Sequence, residues 1–463
     1  MRLPVLPSFV IALLAAPAVL TLPASAEPFP FERQADDFCG EACLSMALDH
    51  WGVKASQYRV HALTGVAPEL GRGAWSREMF VAARAIWGSG FPNPWFETDG
   101  KNEEVEARWR QLTEWVEGGT PCMVRCRYDD SASAPEHFRL VTRIDPKSGE
   151  LTYQEPAEDN GAGRSMSKEK FLELWPVRGE KGNLLIVFPL ARPPAEGVQR
   201  LAAADERAGL VTQTVRRVRK RLPEGFRLGV EGPFVIASDQ SAEDFQRSRE
   251  GTIRWAYTHL MDQFFPGGLD RPIEVYLFDG DAPYRKYTWE WFRDKPETPF
   301  GYYSSVHRAL IMNIATGGGT LVHEMVHPLM AQQFPGVPSW FNEGLASLFE
   351  QCGERGGKMV GLLNWRHKGL MEAIRSGAFE SLERLMKTNT SQFYSNDQGN
   401  NYGIARYLCQ YLQSKGKIEE YYTHFKAHFD ADPTGIASLE AVLGEESMEK
   451  TQAAWLEWLK TLK

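Results

Sequence analysis

Five consecutive residues, His323-Glu324-Met325-Val326-His327, and a carboxylate sixteen residues further on, Glu343 in Trp340-Phe341-Asn342-Glu343-Gly344, limit what this chain can build more than any other stretch. Side chains four apart on a helix share a face, so the segment has to be helical for both imidazoles to reach one cation while Glu324 leans over the open coordination position. Two histidines and a carboxylate leave a fourth position for water, whose pKa a zinc ion lowers to about 7. Glu324 is then placed to take the water's proton and hand it to a leaving amine. The surroundings agree with this reading. Gly317-Gly318-Gly319-Thr320 reads as a loop ending in an N-cap, Leu321, Val322, Met325 and Val326 supply apolar positions, and a second helix carrying Glu343 begins near Pro338-Ser339. His323, His327 and Glu343 are expected to bind Zn2+, with Glu324 as general base.

These residues resemble the gluzincin zinc metallopeptidases, in which a Glu on a following helix is the third ligand, and the likeness extends loosely over residues 225–463. It implies a zincin-like domain, a small sheet followed by a helical lobe with the metal between them. Three features depart from the family pattern. The connection from His327 to Glu343 is shorter than in thermolysin-like or aminopeptidase-N-like members, no GxMEN-like segment lies upstream, and Pro328 directly after the second ligand is expected to kink the helix. His307 to Asn313 reads as a strand, either one that pairs with extended substrate, as in these families, or an ordinary core strand. The resemblance further implies a downstream tyrosine as oxyanion donor; Tyr402, at the opening of an amphipathic helix, is the candidate, with Tyr407 and Tyr411 competing. Ser347, one turn past Glu343, is either a group that orients a ligand imidazole or a plain helix serine.

A second chemistry-bearing segment lies near the other end. Gln34 to Leu44 places Cys39 where an irregular stretch becomes the helix Gly40 to His50, and a thiol at a helix N-terminus is biased toward thiolate by the macrodipole. A cysteine nucleophile also needs a histidine base and a group to orient it. His137 opens the strand His137 to Ile144, and a turn at Asp145 to Gly149 returns the chain through Leu151 to Glu155, which brings Glu155 diagonal to His137 on one face of a hairpin. Together with HFRLVTRID, Glu155-Pro156 and the Met166 to Trp175 stretch before the strand Asn183 to Pro189, these residues resemble the papain-like cysteine peptidases that trim double-glycine leaders from bacteriocins, over residues 30–192. The resemblance implies Cys39 as nucleophile, His137 as base and Gln34 as oxyanion donor. Gln34 stands one residue closer to the cysteine than is usual, and Glu155 replaces the usual Asp. The module is either a second active site or a peptide-binding adaptor.

Arg2, an apolar stretch from Phe9 to Leu22 and Ala24-Ser25-Ala26 read as a signal peptide over residues 1–26, so the product is expected to be exported, periplasmic or extracellular, without stable membrane insertion. The formal net charge of −8, dispersed along the chain, argues against nucleic acid as a partner and leaves a peptide or protein substrate. Six cysteines permit disulfides, but Cys122 and Cys126 fall in one strand about 13 Å apart and cannot bridge each other. Cys352 and Cys409 could pair. Pro193-Pro194 marks a boundary, and the basic run Arg216 to Arg221 reads as a solvated helix face. Gly225 to Ser238 and Ile273 to Phe278 read as strands with the helical stretch Ala242 to Phe265 between them, and from Leu321 onward nearly everything reads as helix.

The expectation is an exported α+β chain: a papain-like domain at 27–192, a linker and charged helix at 193–222, and a gluzincin-like zinc peptidase domain at 223–463. Two alternatives accompany it. Hydrolysis could belong to Cys39 and His137 beside a structural metal domain, or the chain could be a non-enzymatic envelope binding protein.

Overall fold

The computed structural model describes residues 28–99, 102–180, 182–395 and 400–462; the expected signal peptide lies outside them. No helix among the described residues is long and apolar enough to cross a membrane. The architecture is mixed α+β, and the chain packs as two compact units that interleave in sequence. The first holds the described residues up to 33 with Met46–Val53 and Pro94–Arg192; the second holds Gln34–Ser45, Lys54–Asn93 and Pro193–Lys463. One crossing falls at Arg192, where the proline-rich stretch begins. The other four have no compositional mark.

In the first unit a seven-stranded sheet is built from β1 (Trp95–Thr98), β2 (Cys122–Arg127), β3 (Glu136–Ile144), β4 (Leu151–Gln154), β5 (Arg164–Met166), β6 (Val177–Arg178) and β7 (Asn183–Pro189). Its order is β1-β7-β2-β3-β4-β5, with β6 on β7 and every pairing antiparallel. The hairpin β3–β4 closes because the Asp145 carboxylate accepts from the amides of Lys147 and Ser148 and Gly149 supplies a φ of 72°. A bulge between Val141 and Arg143 shifts its register, which aligns Leu140 with Gln154. Trp109, Leu112, Val124, Val141, Phe171, Trp175 and Val187 form its core.

The second unit begins with the first residues of α1 (Cys39–His50), then α2 (Gln57–Ala62) and α3 (Ser76–Trp87); α4 (Asn102–Glu117) and α5 (Lys168–Leu174) belong to the first unit. It continues through α6 (Ala195–Ala203) and α7 (Arg207–Arg221) into a five-stranded sheet. The sheet comprises β8 (Arg227–Glu231), β9 (Phe234–Ser238), β10 (Ile273–Phe278), β11 (Gly301–Ser304) and β12 (Ala309–Asn313), ordered β11-β12-β10-β9-β8. Strands β9, β10 and β12 are parallel, and β8 and β11 run antiparallel at the edges. Where one strand is expected over Gly225 to Ser238 there are two, because Gly232 at φ 54° turns the chain between β8 and β9. Between β9 and β10 runs one continuous helical stretch, α8 (Ala242–Gln246), a π-helical segment (Arg247–Arg254) and α9 (Trp255–Gln263); α10 (Asp281–Phe292) follows β10.

After β12 come α11 (Gly318–Gln333), α12 (Ser339–Leu348), the hairpin of β13 (Cys352–Arg355) and β14 (Lys358–Gly361), and then α13 (Arg366–Ser376), α14 (Leu382–Met386), α15 (Thr390–Ser395), α16 (Asn400–Ser414), α17 (Ile418–His428), α18 (Ile436–Leu443) and α19 (Met448–Leu459). That hairpin interrupts the expected run of helix. Helix α11 starts at Gly318, within the stretch expected to be loop: a Cβ on Gly319 would sit 1.9 Å from the Glu350 carbonyl oxygen, so the glycines let the helix start against the segment that follows α12. The helix runs on through Pro328 to Gln333.

Of the two readings of the strand before α11, the core one holds: β12 lies inside the sheet and the exposed edge belongs to β11, because the chain reverses at Val306 and Arg308 before β12 begins. The basic run of α7 faces solvent as expected, with Arg217, Arg219 and Lys220 exposed, but it also carries ion pairs. Arg216 and Lys220 pair with Asp36, and Arg217 with Glu274, because α7 is sandwiched between the Gln34–Ser45 segment and β10 with Val211, Val215 and Val218 buried. All six cysteines are thiols, so Cys352 and Cys409 are not bridged.

Candidate functional site

Helix α11 presents Leu321, Val322, Met325, Val326, Leu329 and Met330 to the core. The remaining face carries His323, Glu324 and His327, as a 3.6-residue period requires. Helix α12 buries Trp340, Phe341, Leu345 and Leu348 and turns Glu343 toward α11. Gly344 makes this approach possible from behind: a Cβ there would stand 2.9 Å from both the Ala405 carbonyl oxygen and Cys409 Sγ of α16.

One ligand atom from each of His323, His327 and Glu343 falls within a sphere in which all lie within 4.8 Å of one another. Glu343 Oε2 stands 3.2 Å from His323 Nε2 and 3.9 Å from His327 Nε2. Tetrahedral zinc with bonds of about 2.0–2.1 Å sets its ligand atoms about 3.3 Å apart, so the spacing fits. Glu343 Oε2 is buried with no well-aligned hydrogen bond, only the His323 ring 3.2 Å away, an arrangement that a cation held between them would complete. The donor set of two imidazoles and one carboxylate suits Zn2+.

The opposite ring nitrogens are also engaged. His323 Nδ1 lies 3.2 Å from Glu350 Oε1, and His327 Nδ1 donates to Asn342 Oδ1 at 3.2 Å, so in both rings Nε2 is the nitrogen aimed at the centre. Glu350 is held by Arg366 through Nε at 2.9 Å and Nη2 at 2.6 Å, with Asn364 Nδ2 at 3.3 Å. Tyr394 OH donates to Glu343 Oε1 at 2.6 Å, which turns Oε2 inward. Glu324 Oε2 accepts the Tyr303 main-chain N–H of β11 at 2.9 Å and stands 3.9 Å from His327 Nε2.

Without a cation the cluster is strongly polarised. Burial opposes the charged ring of His323, but the Glu343 and Glu350 carboxylates outweigh it and raise the group to about 10. Burial likewise works against both carboxylates, yet His323 and its companions draw Glu343 down to about 2, and Arg366 with His323 does the same for Glu350. Metal binding therefore has to displace a proton from His323.

Sequence reasoning missed Glu350, Asn342, Arg366 and Tyr394. Asn342 was in view, next to Glu343 in the quoted WFNEG. Glu350 follows the end of α12 and has no helical period linking it to His323. Ser347, considered as an orienting group, is fully buried with no partner for its hydroxyl. Tyr402 packs its ring 6.3 Å from that of Tyr394 and under the Arg366 guanidinium at 5.0 Å; Tyr407 is buried and bonds to Asn364.

The other set of candidates divides between the two units. In the first, His137 Nε2 meets Glu155 Oε1 at 2.5 Å across the β3–β4 hairpin, which leaves Nδ1 as the nitrogen able to act as base. Arg139, two residues along on the same face, donates through Nε to Glu155 Oε2 at 2.7 Å and through Nη1 to Cys126 Sγ at 3.0 Å. Burial favours the neutral acid, but His137 and Arg139 hold the Glu155 carboxyl below its ordinary range. A period-2 scan from His137 would have found Arg139. Cys39 and Gln34 belong to the second unit. Cys39 is the first residue of α1, following Asp37 at φ 70°, and Gln34 Oε1 is buried without a partner.

Residues 26–183 match the family model described as the Peptidase_C39 like family. Among solved structures, the peptidase domain of Streptococcus ComA, a bi-functional ABC transporter involved in a quorum-sensing pathway, aligns at 19% identity over 35% of this chain and 98% of its own, with a TM-score of 0.24. No curated protein matches the chain. The family match includes Cys39, Gln34, His137 and Glu155 and ends before every residue of the His323–Glu343 cluster.

Proposed function

We propose that this chain is a peptidase whose hydrolytic centre is the His323, His327, Glu343 cluster, with Zn2+ as its metal. The observation that carries the reading is the convergence of His323 Nε2, His327 Nε2 and the buried Glu343 Oε2 on one point, backed by Glu350 and Asn342 behind the two rings. A bound zinc ion supplies Lewis-acid activation of water and of a carbonyl oxygen. The chain's own groups do the rest. Glu324 takes and returns the proton from a position fixed by the Tyr303 N–H, and the edge strand β11 offers main-chain groups to an extended peptide. Tyr394, whose hydroxyl contacts Glu343 and lies within the field of Glu324, is a side-chain donor for a developing oxyanion.

A second reading has its own support. The Peptidase_C39-like match over residues 26–183 and the short His137–Glu155 contact favour a cysteine peptidase with Cys39 as nucleophile. The two readings part in one experiment on the full chain: zinc content and hydrolysis of an unstructured protein, compared among wild type, Glu324→Gln, Glu343→Ala and Cys39→Ser. Zinc retained but hydrolysis lost in Glu324→Gln, both lost in Glu343→Ala, and neither lost in Cys39→Ser is the expected pattern. Hydrolysis that survives Glu324→Gln and disappears in Cys39→Ser refutes the metal reading and installs the cysteine one. We further propose an exported protein acting on peptides or proteins.

A further inference from the structure

We infer that helix α7 is a splint that sets the conformation of the Cys39-bearing segment, with Thr212, Arg216 and Lys220 as its positioning residues. The family-matched region contains only part of the scaffold of its own candidate nucleophile: Gln34–Ser45 and Lys54–Asn93 pack with Pro193–Lys463. The contacts converge on α7. Inside, Thr212 Oγ1 meets His61 Nε2 at 3.1 Å, His61 Nδ1 meets Glu41 Oε1 at 2.8 Å, and Glu41 Oε1 also accepts the Ala74 amide at 2.8 Å. All three side chains are buried, and Glu41 lies two residues beyond Cys39. Outside, Lys220 Nζ reaches Asp36 Oδ2 at 2.5 Å, Arg216 Nη1 reaches Asp37 Oδ2 at 3.2 Å, and Gln213 Nε2 donates to the Asp36 carbonyl at 2.8 Å. Arg219 donates to the carbonyls of Glu69 and Leu70, both at 2.6 Å.

The helix is glycine-packed against the same segment. A Cβ on Gly209 would stand 2.7 Å from Tyr58 Cα, and one on Gly71 2.8 Å from a Val215 methyl. On its other side α7 grips the sheet. Arg217 Nε donates to Glu274 Oε1 at 2.8 Å and Arg221 Nη1 to Tyr276 OH at 2.8 Å, both in β10. β10 pairs with β12, the strand that leads to α11. Residues 216 and 220 lie one turn apart on one face, as do 217 and 221 on another, so the basic run is two interlocked rows of anchors. Isolated exposed ion pairs contribute little. The buried Glu41–His61–Thr212 chain therefore carries more of the register and the outer pairs reinforce it. The nucleophile-bearing segment thus takes its geometry from the half of the chain that holds the metal cluster.

The inference uses the cysteine-module reading for the role of Cys39, and its test separates the two. In the full chain, amide exchange over residues 38–45 and the pH profile of Cys39 alkylation by iodoacetamide are measured in Thr212→Val, Thr212→Ser, Asp36→Lys and the swap Asp36→Lys/Lys220→Asp, with zinc content as a check on the fold. Thr212→Val and Asp36→Lys should each lose protection about tenfold, and Thr212→Val should raise the alkylation midpoint by about half a pH unit or more, while Thr212→Ser and the swap return protection toward wild type. Unchanged protection in either variant overturns the splint; should Thr212→Val fail to fold, protection in Asp36→Lys and its recovery in the swap decide alone. If Cys39→Ser leaves hydrolysis intact, Cys39 is not the nucleophile, and the exchange result still judges α7.

Discussion

The proton on His323 gives the metal cluster a pH signature. In the metal-free chain this ring is raised to about 10, so at pH 7 it is an imidazolium about 3 units from deprotonation, and freeing Nε2 for a cation costs about 4 kcal/mol. Glu343, at about 2, is already ionised and contributes no proton. Apparent zinc affinity should therefore climb about tenfold per pH unit between pH 7 and 9, with one proton released from His323 per ion bound. Competition with a chromophoric chelator of known proton stoichiometry at pH 7, 8 and 9 measures the slope. Glu350→Gln removes one of the two carboxylates holding that proton, so the slope should flatten at the upper end of the range. The stability of the metal-free fold moves the opposite way. Because the folded-state value lies above the ordinary 6.5, the contribution is fully present below pH 6.5 and is lost as the pH rises through about 10. A wild-type slope below about 0.3 decade per unit would mean that His323 is neutral before metal arrives, and the electrostatic account of the cluster would fall.

Three further perturbations test individual contacts. Tyr394→Phe removes the 2.6 Å bond to Glu343 from a half-exposed position and should weaken zinc binding about fivefold, or about 1 kcal/mol, by the same competition assay; an additional fall in kcat/KM at saturating zinc would mark the hydroxyl as touching substrate. Arg139→Met leaves the buried Glu155 with one counter-charge fewer and should destabilise the fold by about 3 kcal/mol in urea, since breaking one partner of a buried pair is severe. Gly344→Val drives a side chain into the Ala405 carbonyl and Cys409; it should cost about 1–3 kcal/mol by overpacking and reduce zinc content by moving Glu343, whereas full zinc occupancy would show that α12 can shift without carrying its ligand along.

The shared face of His323 and His327 was legible in the sequence because helical spacing alone puts them together, and an apolar stripe of Leu321, Val322, Met325 and Val326 says which face is left. The strands β2, β3, β4 and β7 were legible from their own patterns and the turn at Asp145 to Gly149 returns the chain toward His137, but β1, β5 and β6 were not, nor was the Val141–Arg143 bulge that sets the register of the hairpin. What stayed hidden depends on chain segments that meet only after folding. Glu350 follows the end of α12, where no period applies, and Tyr394 sits on α15, a separate short helix whose placement beside α12 only folding sets. The division of Gln34–Ser45 from the strands that follow it has no compositional signal, since the boundary at Ser45 falls within the unbroken helix α1. The partners of the solvent-facing basic run stayed hidden because charge density on a helix says nothing about what lies opposite, and here carboxylates and carbonyls lie on two of its sides.

The grip on Glu324 has a consequence for how this site would look in a mutational scan. Its partner is the main-chain N–H of Tyr303, a group that nineteen of the twenty residue types supply equally. Substitutions at position 303 would report only on the packing of its ring against the core, and no catalogue of important side chains would credit the position with the grip on Glu324. Proline alone would betray it. On the edge strand β11 a proline whose missing N–H faces away from β12 forfeits no ladder bond, so the sheet would stand while the carboxylate lost its anchor. A function held by the backbone is written in the sequence only as the absence of one residue.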